Sequence, residues 1–509
     1  MLSVRHLKVF FIFIIFYSSV GFTADNQTNI VASSLEQYLN DLKAENTELR
    51  SRIERLEKIL LIQLGENSNS IERSDTVNNL EVQPDYKKLK PESRKFVNST
   101  ANKISANGEY SYEVLDATTR INRKQEFILN SVQSKALEPN SFVLSAALTP
   151  IMDYQKSNTE SKFGYLMRHP TDANQRTKTV SEAAIHSAQL AVTGNVNGWI
   201  SAYLELLYDP EQSFGAGTTT DLNRNQVQVR RGYVLFGDLD KTPLYFSLGK
   251  MEIPFGLTDT VNPFTASTVW HAFGGLAYGA NTGIQTGGFN ARAMAVQGGA
   301  QFRAANVPVD GSNVPSKLNN YAFDISYNFG YSGHTQFLIG ASYIKGSAYC
   351  QSFPVTHFSA CEEENGAIDG YLKFTSPQWT VIAEYAETDE VWAGTFNPNI
   401  PQFEASKVTS WDIGAKYTMN IDRAAIDFSV DFSRFESGPD GSPWSNQDQS
   451  VLGVAAFVSR NVKLFGEFIR TDGYAPLNFI SGGNLAPNET HSDNSAKSKI
   501  IMLGANVAF

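Results

Sequence analysis

From residue 142 to the end, the chain alternates apolar and polar side chains with a period of two. In 321–329, YAFDISYNF, Tyr321, Phe323, Ile325, Tyr327 and Phe329 share one face, and Asp324, Ser326 and Asn328 the other. In 424–433, AAIDFSVDFS, Ile426, Phe428, Val430 and Phe432 oppose Asp427, Ser429 and Asp431. In 199–208, WISAYLELLY, Ile200, Ala202, Leu204, Leu206 and Tyr208 form the first face. The closing KSKIIMLGANVAF aligns Ile501, Leu503, Ala505, Val507 and Phe509. This is the period of a strand with one apolar face. The connections alternate as well. Tight turns fall at 195–198, 238–242, 331–333, 376–377, 421–422 and 461. Long polar loops fall at 153–182, 210–223, 252–282, 305–318, 346–366, 388–407, 436–448 and 473–497. Short turns at one end and long loops at the other characterise a transmembrane barrel. With 283–304 counted as two strands, the total is about sixteen. A soluble sandwich also alternates, but without that regular exchange of loop length.

Composition agrees. Charged residues are 18% of the chain, with 37 Gly, 33 Phe and 21 Tyr. Apolar outward residues diluted by a polar lumen give that mixture. A net charge of −10 and no basic stripe argue against nucleic-acid binding. Trp199, Tyr208, Trp379, Tyr385, Trp411 and Tyr417, near strand ends, suit interfacial girdles.

The N-terminus, MLSVRHLKVFFIFIIFYSSVGFTAD, joins Arg5 and Lys8 to a short apolar core and a small-residue tail. It reads as a secretory signal peptide over 1–24, its apolar core too short for a membrane anchor. In 33–64, Leu35, Leu42, Leu49 and Leu56 recur every seven residues, with Leu39, Asn46, Ile53 and Leu60 four positions on. That is a coiled-coil seam with a polar Asn46, read as self-association, or alternatively as a lone amphipathic helix. Residues 66–140 read as linker, with short elements in 104–140 that would plug the barrel or cap its mouth. The predicted fold is therefore an all-β membrane protein. An antiparallel transmembrane β-barrel of about sixteen strands spans 142–509, preceded by a short periplasmic coiled-coil helix. Long loops would face outward, and the terminal Phe509 strand would be read by the barrel-assembly machinery.

Inward charges are mixed: Glu205, Asp324, Glu384, Asp412, Asp427, Asp431 and Glu467 against Arg230, Lys373 and Lys416. The acidic excess leans toward cations. The stretch 249–280, GKMEIPFGLTDTVNPFTASTVWHAFGGLAYGA, is too aromatic for an exposed loop, so it is expected to fold into the barrel and narrow it. Lys250, Glu252, Asp259, Trp270 and His271 are its candidates for meeting a solute; plain packing against the wall is the alternative. Cys350 and Cys361, the two cysteines, are expected to form a disulfide, with free thiols or a metal pair around His357 as alternatives. His169, His271, His357 and His491 show no metal spacing, and no GxSxG, HExxH or Walker motif occurs, so no enzyme and no resident cofactor are expected.

The runs INRKQEFILNS (121–131), ALTPIMDYQKSNTESKFGYLMRHP (147–170), AAIHSAQLAVTGNVNGWISAYLELLYDPEQSFG (183–215), LNRNQVQVRRGYVLFGDLD (222–240) and VNPFTASTVWHAFGGLAYGA (261–280) resemble the LbtU-type siderophore porins. That resemblance implies an outer-membrane iron-uptake barrel working without energy-coupling machinery. The transported ligand would be a ferric polycarboxylate siderophore or ferrous iron. A general or anion-selective porin with an indirect iron role is the alternative, and a tethering role for the coiled coil a third. No binding residue carries over, because no motif separates ferric from ferrous transporters.

Overall fold

The computed structural model describes residues 103–163, 177–209, 226–298, 317–331, 335–353, 363–421, 424–475 and 489–509. The predicted signal peptide, the coiled-coil helix 33–64, and Cys361, His169 and His357 lie outside the described residues.

A short strand β1 (Lys103–Ala106) precedes two helices, α1 (Gly108–Leu115) and α2 (Lys124–Gln133). Strands β2 (Ser141–Ser157), β3 (Thr179–Asn195), β4 (Ile200–Tyr208), β5 (Val227–Gly237) and β6 (Leu244–Glu252) follow. After helix α3 (Thr268–Phe273) come β7 (Leu276–Thr286), β8 (Phe289–Val296), β9 (Asn320–Tyr331), β10 (Thr335–Ile344), β11 (Ala367–Thr375) and β12 (Trp379–Thr388). The last are β13 (Thr409–Ile421), β14 (Ala424–Glu436), β15 (Asn446–Ser459), β16 (Val462–Tyr474) and β17 (Asp493–Ala508).

Each of β2 to β17 pairs antiparallel with its sequence neighbours, and β17 returns to β2 through pairs such as Ile501↔Tyr154 and Leu503↔Met152. The result is a closed sixteen-stranded barrel, with β17 covering the edge of β2 from Ala147 onward. Leu144, Leu204, Phe323, Ile325, Val430, Leu452, Ile501 and Leu503 are exposed on the outside, while Ser145, Glu205, Asp324, Asp431 and Ser498 are buried inside. An apolar outer wall around a polar interior is a transmembrane barrel, which satisfies all of its wall hydrogen bonds internally. No helix among the described residues is long and apolar enough to cross a membrane.

Two boundaries differ from the sequence reading. Strand β7 begins at Leu276, inside the stretch read as the loop 252–282, and β7 and β8 do not divide 283–304. Gly274, Gly275 and Gly279 dilute the alternation there, and Gly279 leaves no room for a side chain: a Cβ would lie 2.2 Å from the Ala295 carbonyl oxygen. The count of sixteen is unaffected.

The seam has a particular construction. Phe509 exchanges backbone hydrogen bonds with Ala146 at 2.8 and 2.9 Å, and β17 stops there. The next residues of β2 pair in parallel with β1, from Lys103↔Ser141 to Ala106↔Leu144. Because β3 holds the other side of the same residues, β1 occupies the edge that β17 leaves uncovered.

Candidate functional site: a lumen crossed by a plug and a loop

Residues 107–137 fold inside the barrel. Asn107 caps α1 by accepting from the Glu109 and Tyr110 amides, and Asp116 turns the chain by accepting from Thr118 and Thr119. Val114, Leu115, Ile128, Leu129 and Leu137 pack against the inner residues Val143, Tyr203, Tyr233, Leu235, Tyr245 and Met251. The segment is a plug against the β2–β10 side of the wall.

The loop 253–275 leaves β6 on this same side and crosses the lumen to the wall formed by β12–β16. Its attachment is made by carboxylates of the wall. Glu384 accepts from the Thr258 amide at 3.0 Å, and Glu467 accepts from the amides of Phe264 at 2.7 Å and Thr265 at 3.0 Å, as well as from the Thr265 hydroxyl. Lys463 donates to the Pro263 carbonyl at 2.8 Å and Gln449 to that of Ala266 at 2.9 Å. Two wall glycines make room: a Cβ on Gly414 would stand 2.5 Å from Val261, and one on Gly453 2.5 Å from Pro263. Plug and loop then bond to each other. The Thr260 amide donates to the Thr118 carbonyl at 2.9 Å, the Ile121 amide to Asp259 at 3.2 Å, and the Asn122 side chain to the carbonyls of Phe255 and Gly256.

Two charge networks flank this closure. On β4–β6, the buried Arg231 donates to Glu205 at 2.8 Å and to Glu252, while Arg230 stands 3.8 Å from Glu205. A register shift between Glu205 and Leu206 lets both adjacent arginines reach inward. On β8–β11, Arg292 pairs with Asp324 at 2.7 Å; Asp324 also accepts from Tyr371 at 2.7 Å and Ser342 at 2.9 Å. The plug enters the β8–β11 network, since Arg123 donates to Tyr371 at 2.7 Å and Arg292 to the Asn122 carbonyl. Lys124 donates to the Val114 carbonyl, and burial pulls its ammonium down to about 8, against the favourable field of Glu205. Burial works against the Asp116 carboxylate, but Lys463 and the Thr119 and Thr118 hydrogen bonds outweigh it and hold its pKa below the usual range.

A narrow cavity of about 60 Å³ lies toward the long-loop ends of β3–β5, lined among others by Lys124, His186, Arg230, Arg231, Trp270 and His271. At the short-turn end, behind the plug, lie two larger cavities of about 1260 and 540 Å³.

Among the residues singled out from sequence, Glu252, Asp259 and His271 are buried at this closure, and Trp270 and His271 line the small cavity. Asp259 is paired with Lys373 at 2.8 Å, and Asp427 with Lys416 at 3.3 Å. Lys250 is a correction. It pairs across β6 and β7 with Tyr278, lies 5.7 Å from that exposed ring, and donates to the Val229 carbonyl, so it faces outward. Strand parity places it there with Leu244, Phe246 and Leu248. Arg230, Asp324, Glu384 and Asp431 face inward, but Glu384 holds the loop, and Asp431 lies against Asp412. Cys350 is disulfide-bonded. Arg231, Arg292, Arg123 and Lys124 were not selected from sequence. The Arg230-Arg231 doublet was a visible sign of a bulge, because consecutive charges cannot both face a lumen on a regular strand.

No family model matches the chain. It is 28% identical over 193 residues to a UPF0422 protein of Coxiella burnetii, covering 37% of this chain and 38% of that one. It is 34% identical over 80 residues to a UPF0422 protein of Legionella pneumophila, covering 16% and 14% respectively. The chain thus spans well under half the length of these curated relatives. Among solved structures it is similar to an anion-selective porin from Comamonas acidovorans, with 14% identity, 72% and 99% coverage and a TM-score of 0.46. It is also similar to the outer membrane channel DcaP of Acinetobacter baumannii, with 12% identity, 74% and 99% coverage and a TM-score of 0.44.

Proposed function

We propose that this porin-like outer-membrane barrel is a selective uptake channel for iron acquisition, carrying a ferric polycarboxylate siderophore as an anion through a lumen whose closure opens transiently. The observation that carries the reading is the division of charge at the closure. Glu384 and Glu467 spend their oxygens on loop amides, and Asp259 and Asp427 on lysines. The cavity on the long-loop side is lined by Lys124, Arg230 and Arg231 together with Asp116, whose carboxylate accepts from Thr118 and Thr119, and Asp209, which stands 3.6 Å from His186. Guanidinium and ammonium donors recognise carboxylates, whereas ferrous iron favours imidazole and carboxylate ligands. Among the described residues, no cluster of three or more His, Cys, Asp or Glu is arranged to hold a metal ion. This favours the chelate over the bare cation and reverses the lean drawn from counting inward charges.

In this reading the short turns face the periplasm, the long loops face outward, and the coiled coil spaces or oligomerises the barrels. Uptake of a radiolabelled ferric polycarboxylate and of ferrous iron by deletion cells, with the gene restored or carrying Arg230→Met, tests it. Chelate uptake should fall in the deletion and in the variant. Unchanged uptake of both iron forms sinks the iron role, and a channel passing unrelated anions equally well is a general anion porin.

A further inference from the structure

Besides its side-chain contacts, the segment 107–137 is joined to the barrel strands at its two ends, and the two joins differ in strength. At the C-terminal end the plug runs directly into β2. At the N-terminal end it is fastened by β1, four residues paired, among the described residues, with the edge of β2 beyond Phe509. Ile104 in that strand is 79% exposed, so β1 is held to the seam by backbone pairing and little side-chain burial. The plug is therefore a loop closed on one strand, and β1 is its weaker fastening.

Its seat is partly polar. The buried Ser111 hydroxyl on the plug, and those of Ser145, Tyr233 and Tyr245 on the facing wall, have no hydrogen-bond partner among the described residues; neither does Arg123 Nε. Water would satisfy all of them once the plug moves. The space to receive it lies behind, in the cavities of about 1260 and 540 Å³ at the short-turn end, lined by Glu109, Tyr112, Glu113, Arg120 and Phe127 of the plug itself. The wall needs no rearrangement, because β2 to β17 close without β1.

We propose that residues 103–137 form a releasable gate, with β1 as its latch on the seam: unpairing β1 from Ser141–Leu144 frees the plug to swing toward the short-turn end about its junction with β2. The inference rests on the channel reading and names how that channel is regulated. Withdrawal carries Lys124 away from Arg230 and Arg231, dismantling the basic lining as the route opens, so a bound anion is released in the direction of plug movement.

The test is a disulfide across the latch in the mature full-length protein, Ile104→Cys with Phe142→Cys, a directly paired position. Single-channel conductance in potassium chloride is recorded oxidised and after reduction. The parent protein under the same reductant controls for the native disulfide. The parent should show opening steps, the oxidised variant should lose at least nine-tenths of them, and reduction should restore them. If Phe142→Cys impairs barrel assembly, the adjoining pair Lys103→Cys with Ser141→Cys replaces it. A verified cross-linked barrel that opens like the parent overturns the gate, and so does a parent that never opens. Conductance does not depend on which solute is natural. Latch-dependent conductance without ferric chelate uptake therefore refutes the iron reading and leaves the gate standing.

Discussion

Replacing Glu467 with alanine should unfasten the inward loop while leaving the barrel closed. Glu467 sits on β16 with its carboxylate buried, and it is the anchor for the amides of Phe264 and Thr265 at 2.7 and 3.0 Å and for the Thr265 hydroxyl. A hydrogen bond to an ionised group contributes about 1.5–3 kcal/mol, and orphaned buried donors add a desolvation cost. The three bonds share one carboxylate and do not sum, so the loss is about 3–5 kcal/mol. At about 1.4 kcal/mol per tenfold, that raises the population of released loop by roughly two to three and a half orders of magnitude. Glutamine keeps one acceptor oxygen on the same stem, and Glu467→Gln should cost only about 1–2 kcal/mol. The assay is limited proteolysis within 253–275 from the long-loop side, paired with conductance, and heat-shifted gel mobility checks that the barrel is intact. Cleavage should rise steeply for alanine and modestly for glutamine. An alanine variant with parental cleavage and conductance refutes the anchoring argument. Equal effects of alanine and glutamine refute the part that rests on acceptor geometry.

Gly453→Val should push the loop off the wall as well, because even a Cβ there stands 2.5 Å from Pro263; increased loop proteolysis without loss of the barrel is the expected readout. Plug docking should strengthen with pH. The ammonium of Lys124 falls to about 8 when buried, so between about 8 and its ordinary value of 10.5 the withdrawn plug binds more protons than the docked one. Docking is therefore weaker below that window and gains at most about 3 kcal/mol across it, since each unit is worth about 1.36 kcal/mol. Protease protection of the plug measured from pH 7 to 10.5 should rise in the parent and stay flat in Lys124→Met. Arg460→Ala removes the contact from Arg460 to Glu109 on α1, but both side chains are largely exposed, so protection should change by under about 0.5 kcal/mol.

The barrel was legible because membrane and lumen impose opposite chemistry on alternate residues. Phe323, Ile325, Val430 and Ile501 face outward as their spacing predicts, and Asp324, Asp427 and Asp431 face inward. That logic fails where the strand stops being regular or the neighbour is not solvent. Gly274, Gly275 and Gly279 hid the start of β7, where the wall's own backbone, not a side chain, approaches closest. A bulge at Arg230-Arg231 placed two consecutive charges in the lumen, and period-two counting admitted one. Lys250 went the other way: in the sequence it opens the aromatic loop, yet it still belongs to β6 and obeys that strand's outward parity.

Counting inward charges leaves out what each charge is bonded to. The sign of a pore is set by the groups left over after the protein has satisfied itself, and satisfaction depends on contacts distant in sequence. Glu384 is spent on Thr258 and Glu467 on Phe264 and Thr265, pairs separated by 126, 203 and 202 residues. Lys373 is spent on Asp259, 114 residues away. None of these partners shares a strand pair, so no local pattern encodes them. The plug obeys the same rule in reverse. Its helices are short and mixed in charge, and the sequence leaves them between plugging the barrel and capping its mouth, because their apolar face is completed only by wall residues such as Tyr203, Tyr233 and Leu235. A segment whose burial depends on a surface supplied by the barrel does not advertise that burial in its own sequence. For the same reason it can leave without unfolding the barrel, since the ring from β2 to β17 is already complete without it.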